Sequence, residues 1–340
     1  MMPMNVLITA ASRRVPLVQA FQSAIDTLGL PGQVIATDVN AYSPAVHMAD
    51  RAYGVPLATD PGYIEALLEI CKAERVSLVV PTIDDELSVF GAARERFRQI
   101  GAFAACSSAA TADACNDKYE TCTRLSALGV PAARTYRPHE ISAAIEFPLF
   151  IKPRIGRGAV DAHVVRDGRD LAYYLGCIDD PIVQEFLSGP EYTIDVLCDQ
   201  RGRPISIVPR ERVVIRSGVI DRGRTVKSRP LMELAERVGE SFLFTGALNI
   251  QCRMRGSEAA VFEINPRFSG GIDLTIAAGA DFPGLLVQMA LGRRLMPRLG
   301  EFRDDLWICK YETAVFVQGS DHELPTLAET QAQARRIEVA

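Results

Sequence analysis

The chain of 340 residues has no CxxC pair, a single tryptophan and only four histidines. Its eight cysteines stand at 71, 106, 115, 122, 177, 198, 252 and 309, without the spacing that a structural zinc site needs. Unpaired and scattered, they read as small buried hydrophobes in a reducing cytoplasm. No stretch approaches the ~20 apolar residues that cross a bilayer, so no membrane partner is expected. The opening MMPMNVLITAASRR has no basic region ahead of its short apolar run, which argues against a secretory signal. Charge of one sign is lacking too: 37 basic residues against 42 acidic ones leave a net charge of -5 and no overall field for nucleic acid.

What is present is an ordinary globular balance, 48% hydrophobic and 23% charged, on a chain long enough for two or three domains. Up to about residue 112, short apolar runs (NVLIT, QVIATD, SLVVPT) alternate with helical patterns (VPLVQAFQSAIDTL, GYIEALLEICKAE, ELSVFGAARERF). That alternation indicates βαβ units and a parallel sheet. The first strand-to-helix turn, TAASRRVP, has no glycine, and a dinucleotide cannot approach such a turn closely, so Asp38 at the end of the second strand is not read as a ribose ligand. DACNDKYETCTRLSALGVPAART reads as a helix with a glycine stop, placing a boundary near residue 112. Beyond it, strands are expected at FPLFIKP, PIVQEF, EYTIDVLCD, PISIVP, LNIQCRM and AVFEIN, and helices around 169–176, 231–243 and 272–291. The fold class is α/β: a parallel domain at 1–112, then two α+β subdomains at 113–190 and 191–340.

Chemistry concentrates in four segments. ALNIQCRM and AAVFEINPRFSGG are joined by RGSE, a good turn sequence. A hairpin there sets Gln251 opposite Glu263 and Asn249 opposite Asn265, so four oxygen-bearing side chains share one face. Hard oxygen donors with one carboxylate suit Mg²⁺ when phosphates complete the shell; the alternative is the wet face of an amphipathic hairpin. FPLFIKPRIGRGA places Lys152 at a strand end, followed by Gly156 and Gly158, either an ordinary turn or a loop whose N–H groups approach phosphate. IVQEFLSGPEYTIDV offers a backbone edge for a planar base, with Glu191 for sugar hydroxyls, or else a plain hairpin. PRERVVIRSGVIDRGRTVKSRP is strongly basic without interleaved aromatics; it reads as a solvated loop or as a source of charge neutralisation through Arg210 and Arg212. Asp84 and Asp85, at a helix start where carboxylates are favoured anyway, are candidates for a substrate ammonium. Ser269 and Gly270 are candidates for a substrate carboxylate.

In this order, and across about residues 113–310, these segments resemble the ATP-grasp superfamily, particularly a synthetase module of carbamoyl-phosphate synthetase large subunits and stand-alone carboxylate-amine ligases. The resemblance implies ATP and Mg²⁺, with Lys118 and Lys152 as nucleotide-binding lysines and Gly156 and Gly158 in a phosphate-covering loop. It implies Gln184, Glu185 and Leu187 at the adenine hinge and Glu191 on the ribose. Gln251, Glu263 and Asn265 become metal ligands, with Asn249 beside them, and Arg267 holds the transferred phosphoryl group. Many relatives have an acid where Gln251 stands, which favours one metal over two. The implied activity is ATP-dependent joining of a small carboxylate, such as an amino acid, to an amine through an acyl phosphate. A bicarbonate-using enzyme and a nucleotide-binding regulator without turnover are the alternatives; carbamoyl-phosphate synthesis in the resembled enzymes uses two modules, and this sequence has room for one. Expected partners are small molecules and, as is common in the resembled ligases, a second copy in a homodimer.

Overall fold

The computed structural model describes residues 3–158, 160–318 and 323–338. They fall into two compact units, Met1–Ala109 with Asp281–Met296 and Tyr311–Ala340, and Ala110–Ala280 with Pro297–Lys310. Residues 281–296 and 311–340, which the sequence reading groups with 191–280, thus belong to the N-terminal unit.

The first unit contains β1 (Asn5–Ile8), α1 (Val15–Thr27), β2 (Val34–Asp38), β3 (Arg51–Gly54), α2 (Tyr63–Ala73), β4 (Val76–Val80), α3 (Asp84–Gln99) and β5 (Phe103–Ala104). Its five strands are all parallel, in the order β3-β2-β1-β4-β5. The central strands are buried through nearly every residue, as a sheet covered on both faces requires. Leu17, Val18, Phe21, Ala24 and Ile25 give α1 a stripe at helical spacing. At the carboxyl ends of the strands, Glu86 is completely buried and fully engaged: Thr9 Oγ1 (2.8 Å), Tyr63 Oη (2.5 Å) and the N–H groups of Thr82 (2.6 Å) and Ile83 (3.1 Å) all donate to it. Burial pushes this carboxyl above its usual range against the pull of those four donors. Asp38 accepts from the N–H groups of Ser12 (2.7 Å) and Asn40 (2.9 Å), holding the glycine-free turn in which Ala10 and Ser12 take positive φ.

In the second unit, the expected single helix around residue 118 is two, α4 (Ala109–Asn116) and α5 (Lys118–Ala127), because Asp117 leaves the helix and caps α5 through the N–H groups of Tyr119 and Glu120. A four-stranded sheet, β6-β9-β7-β8, is built from β6 (Thr135–Tyr136), β7 (Leu149–Pro153), β8 (His163–Val165) and β9 (Pro181–Glu185), with α6 (Gly168–Cys177). A six-stranded antiparallel sheet follows, in the order β14-β13-β10-β11-β12-β15. Its strands are β10 (Glu191–Cys198), β11 (Pro204–Arg216), β12 (Val219–Thr225), β13 (Gly246–Arg255), β14 (Glu258–Asn265) and β15 (Trp307–Cys309), with α7 (Arg229–Ser241) and α8 (Ile272–Ala277). One face of this sheet is apolar: Ile194, Val196, Ile207, Leu248, Ile250 and Ile264 pack with Leu231, Leu234, Ala235 and Val238 of α7. The opposite face carries the polar residues.

Two further expectations fail here. The basic stretch 209–230 is no solvated loop; most of it is the hairpin β11–β12, closed at Ser217 and Gly218, whose φ values of 48° and 75° make the two-residue turn that suits strand twist. The expected helix 272–291 is interrupted after α8 at Gly279 (φ 102°) and resumes only at Phe282–Ala290, where Asp281 caps through the Gly284 N–H. Six of the cysteines are buried as expected, whereas Cys177 and Cys309 are exposed; none of the eight is in a disulfide. Among the described residues no helix is long and apolar enough to cross a membrane.

Candidate functional site

The register of β13 and β14 pairs Asn249 with Asn265 and Gln251 with Glu263, the pairing that alternation and the turn sequence predict. β10 continues the row on the other side: Glu191 opposes Arg253, Thr193 opposes Gln251 and Asp195 opposes Asn249. Because side chains two residues apart share a face, this half of the sheet presents a connected polar surface. It floors a cavity of about 520 Å³.

Eleven of the candidates from the sequence line that cavity: Lys118, Lys152, Gly156, Gly158, Gln184, Glu185, Leu187, Glu191, Arg212, Gln251 and Glu263. Phe150, Val164, Ala133 and Phe262 supply apolar walls. Lys152 leaves the end of β7 and is almost completely buried, with Nζ 3.3 Å from the Phe262 carbonyl oxygen and 5.3 Å from that ring's centre. Burial lowers the ammonium's pKa below the usual lysine range; Glu263 opposes that shift and the nearby Lys118 adds to it. Lys118, at the first position of α5, donates to the Gly156 carbonyl at 2.5 Å and so touches the glycine loop. Arg154 ties the two lysine-bearing elements together: it forms an ion pair with Asp117, and its carbonyl accepts from the Lys118 N–H at 3.2 Å.

Glu191 is held by two guanidiniums, Arg212 at 2.6 Å and Arg253. Burial pulls the Arg212 guanidinium below its usual range while Glu191 opposes the shift. Arg212 also donates to the Gly218 carbonyl at 2.6 Å, linking the sugar-side carboxylate to the tip of the β11–β12 hairpin. A Cβ on Gly218 would lie 3.4 Å from Gly158 Cα, so the hairpin tip adjoins the glycine loop. Gln184 turns its amide nitrogen to Thr135 Oγ1 (2.9 Å), and Glu185 pairs with Arg134 and Arg255.

The other candidates take different places. Asn265 donates to Glu263 Oε1 (3.0 Å) and accepts from Arg267 Nη2 (3.2 Å), so as placed it braces Glu263. Asn249 is buried and donates to the carbonyls of Asn265 (3.3 Å) and Arg267 (3.2 Å), a supporting position that does not line the cavity. Arg210 is wholly buried against Asp195 and Ser269 and does not line the cavity. Lys310 Nζ donates to the Gly270 carbonyl oxygen (3.1 Å). Asp84 and Asp85 open α3 in the N-terminal unit and are described with that unit alone. Sequence reasoning missed Arg253 and Arg157, both on the cavity wall. Arg253 was findable, being the next residue in the Asn249, Gln251 alternation.

Residues 178–313 match the family described as ATP-grasp in the biosynthetic pathway with Ter operon, and residues 6–105 match the PylC-like N-terminal domain. The chain is similar to the carbamoyl phosphate synthase arginine-specific large chain of Bacillus subtilis, 23% identical over 265 residues, covering 72% of this chain and 25% of that one. The curated relatives are longer: this chain spans between 25% and 40% of their lengths. Among solved structures it is similar to the biotin carboxylase domain of Hydrogenobacter thermophilus 2-oxoglutarate carboxylase, in complex with MgADP, ADP and bicarbonate, at a TM-score of 0.69 and 16% identity over 90% of this chain and 74% of that one. It is also similar to the L-amino acid ligase of Bacillus licheniformis, at a TM-score of 0.64 and 18% identity over 86% of this chain and 75% of that one.

Proposed function

With the chain built on the ATP-grasp fold, as its matched segments and its structural likenesses show, we propose that it is an ATP-dependent ligase joining a small carboxylate to an amine through an acyl phosphate. The observation that carries this reading is the convergence of Lys118, Lys152, the Gly156–Gly158 loop and the Gln251–Glu263 pair on one cavity of about 520 Å³. Lys118, Lys152, Arg157, Arg212 and Arg253 line the cavity against the three carboxylates Glu185, Glu191 and Glu263, an excess of positive charge that favours a polyphosphate. The apolar walls around the backbone of residues 184–187 suit a planar base, and Glu191 suits sugar hydroxyls once the arginines share it.

Mg²⁺ fits the donor set. Glu263 offers the carboxylate and Gln251 a neutral oxygen directly opposite, and Mg²⁺ is ordinarily bound by one or two carboxylates with phosphate oxygens. Asn265 would join only by turning its amide away from Glu263 and Arg267. When bound, the ion supplies charge neutralisation of the phosphates. The chain's own residues do the rest. Lys152 and Lys118 bind and orient the triphosphate, and the glycine loop excludes water over it. Arg267, anchored on Asn265 beside Glu263, meets the oxygens of the group in transfer. A carboxylate substrate is already ionised at neutral pH, so its oxygen attacks the γ-phosphorus without a general base and ADP leaves. The amine then attacks the acyl carbon and phosphate leaves.

The test is interception. Protein, Mg-ATP, hydroxylamine and pooled carboxylic acids, with and without added amino acids, are expected to give the hydroxamate of one acid by mass spectrometry. A blank result with bicarbonate-dependent ADP release would replace this reading with the bicarbonate one. A blank result without ADP release would leave a nucleotide-binding regulator.

A further inference from the structure

The largest wholly buried side chain among the described residues is a charged one, Arg210, 1% exposed. Its guanidinium meets Asp195, equally buried, through Nε (2.7 Å) and Nη2 (3.1 Å), and Nη2 also donates to Ser269 Oγ at 2.8 Å. Thr275 of α8 donates its hydroxyl to the same Asp195 carboxylate at 2.5 Å. Bringing two charges out of water costs much of what their attraction returns, so a pair like this is weak as a source of stability alone. What the pair does achieve is direction. Arg210 lies directly beneath the turn that joins β14 to α8: a Cβ on Gly271 would come within 2.6 Å of Arg210 Nη1 and 2.4 Å of Ile220 Cγ2. The front of that turn is pinned from the same sheet face by Asn249, bonded to the Arg267 carbonyl. Its far side is pinned by Lys310 at the Gly270 carbonyl.

Resting on the ligase reading above, we propose that Arg210, fixed by Asp195, is a positioning residue: it sets the turn 266–271, and through it Arg267, against the Glu263 end of the cavity. Arg212, two residues along the same strand face, engages Glu191. One strand therefore indexes the sugar-side carboxylate and the acyl-transfer turn against a common backbone. A lysine at 210 keeps the charge but loses the fork that reaches Asp195 and Ser269 together.

The variants are Arg210→Lys, Asp195→Asn and the near-isosteric Thr275→Val, all in the full chain. Three quantities are measured: Mg-ATP affinity by calorimetry, the KM for the acid that the wild type converts to a hydroxamate, and amide hydrogen exchange across 266–274. The acid's KM is expected to rise at least tenfold in the first two variants and at least threefold in Thr275→Val. Nucleotide affinity is expected to move less than twofold, and exchange across the turn to quicken in all three. Unchanged exchange in the turn overturns the proposal. So does an equal loss of nucleotide and acid, or a lower melting temperature with KM unmoved. A wild type that binds nucleotide but makes no hydroxamate overturns the ligase reading instead, and shows itself in the parent protein before any variant is compared.

Discussion

Each unit holds a glutamate that is legible as unusual, and the two are unusual in opposite ways. Glu86 in the parallel unit is wholly buried, with four donors closing around both oxygens. Glu263 in the antiparallel unit lies half-buried on the cavity wall, braced by Asn265 on one oxygen and facing Gln251 across the hairpin. Burial marks the first more strongly than the second, and it raises the Glu86 pKa. The difference teaches that perturbation alone does not identify a site; capacity left open toward a cavity does.

The sharpest way to break that contrast is Glu263→Ala. Turnover is expected to fall at least ~100-fold, the loss of a key charge at a reacting phosphate, while the melting temperature stays close to the parent's; steady-state ADP release and calorimetric melting check both halves. The converse substitution, Glu86→Leu, strands the Thr82 and Ile83 N–H groups and is expected to cost about 3 kcal/mol of stability by denaturant unfolding, because buried donors without acceptors cost 1–3 kcal/mol each. Its nucleotide affinity is expected to match the parent's. The Glu86 pKa is raised in the folded protein, so its contribution is present below the ordinary carboxyl value and is lost as pH rises through the raised one. Glu86→Gln is expected to flatten that slope. The smallest effect is Lys152→Ala, a loss of nucleotide affinity of about 30-fold, in the range for one charged hydrogen-bonding partner. Since burial lowers the Lys152 pKa, affinity in the parent is expected to decline at alkaline pH below the normal lysine range, and the variant to lack that decline.

Short apolar runs between helical patterns were enough to place the parallel strands β1, β2 and β4, and a period of two placed β10, β13 and β14 of the antiparallel sheet, because such local patterns survive whatever packs nearby. They were not enough for the short edge strands β3, β5, β6, β8 and β15, whose two to four residues carry too little pattern. Asp117 and Gly279 divided helices that periodicity ran together, since a cap depends on one residue's backbone and not on the hydrophobic stripe. The basic segment was read as a loop because its charges hid the branched residues 213–215 and 219–220 that make it a hairpin.

By itself, the order of residues determined that β13 and β14 form a hairpin with polar residues on facing strands; the pairing of Gln251 with Glu263 also needs the bulge between Gln251 and Cys252, since the Arg255–Glu258 turn extended strictly would set Gln251 opposite Phe262. Lys152 at a strand end before a glycine loop was determined in the same local way. What only the tertiary structure decided is the fate of the arginines. Arg210 and Arg212 are indistinguishable along the strand, yet one is sealed beneath the turn 266–271 and the other opens on the cavity. The physical reason is that burial is set by whatever lies above a side chain. Here that is a turn more than fifty residues away in the chain, closing over one arginine and stopping short of its neighbour.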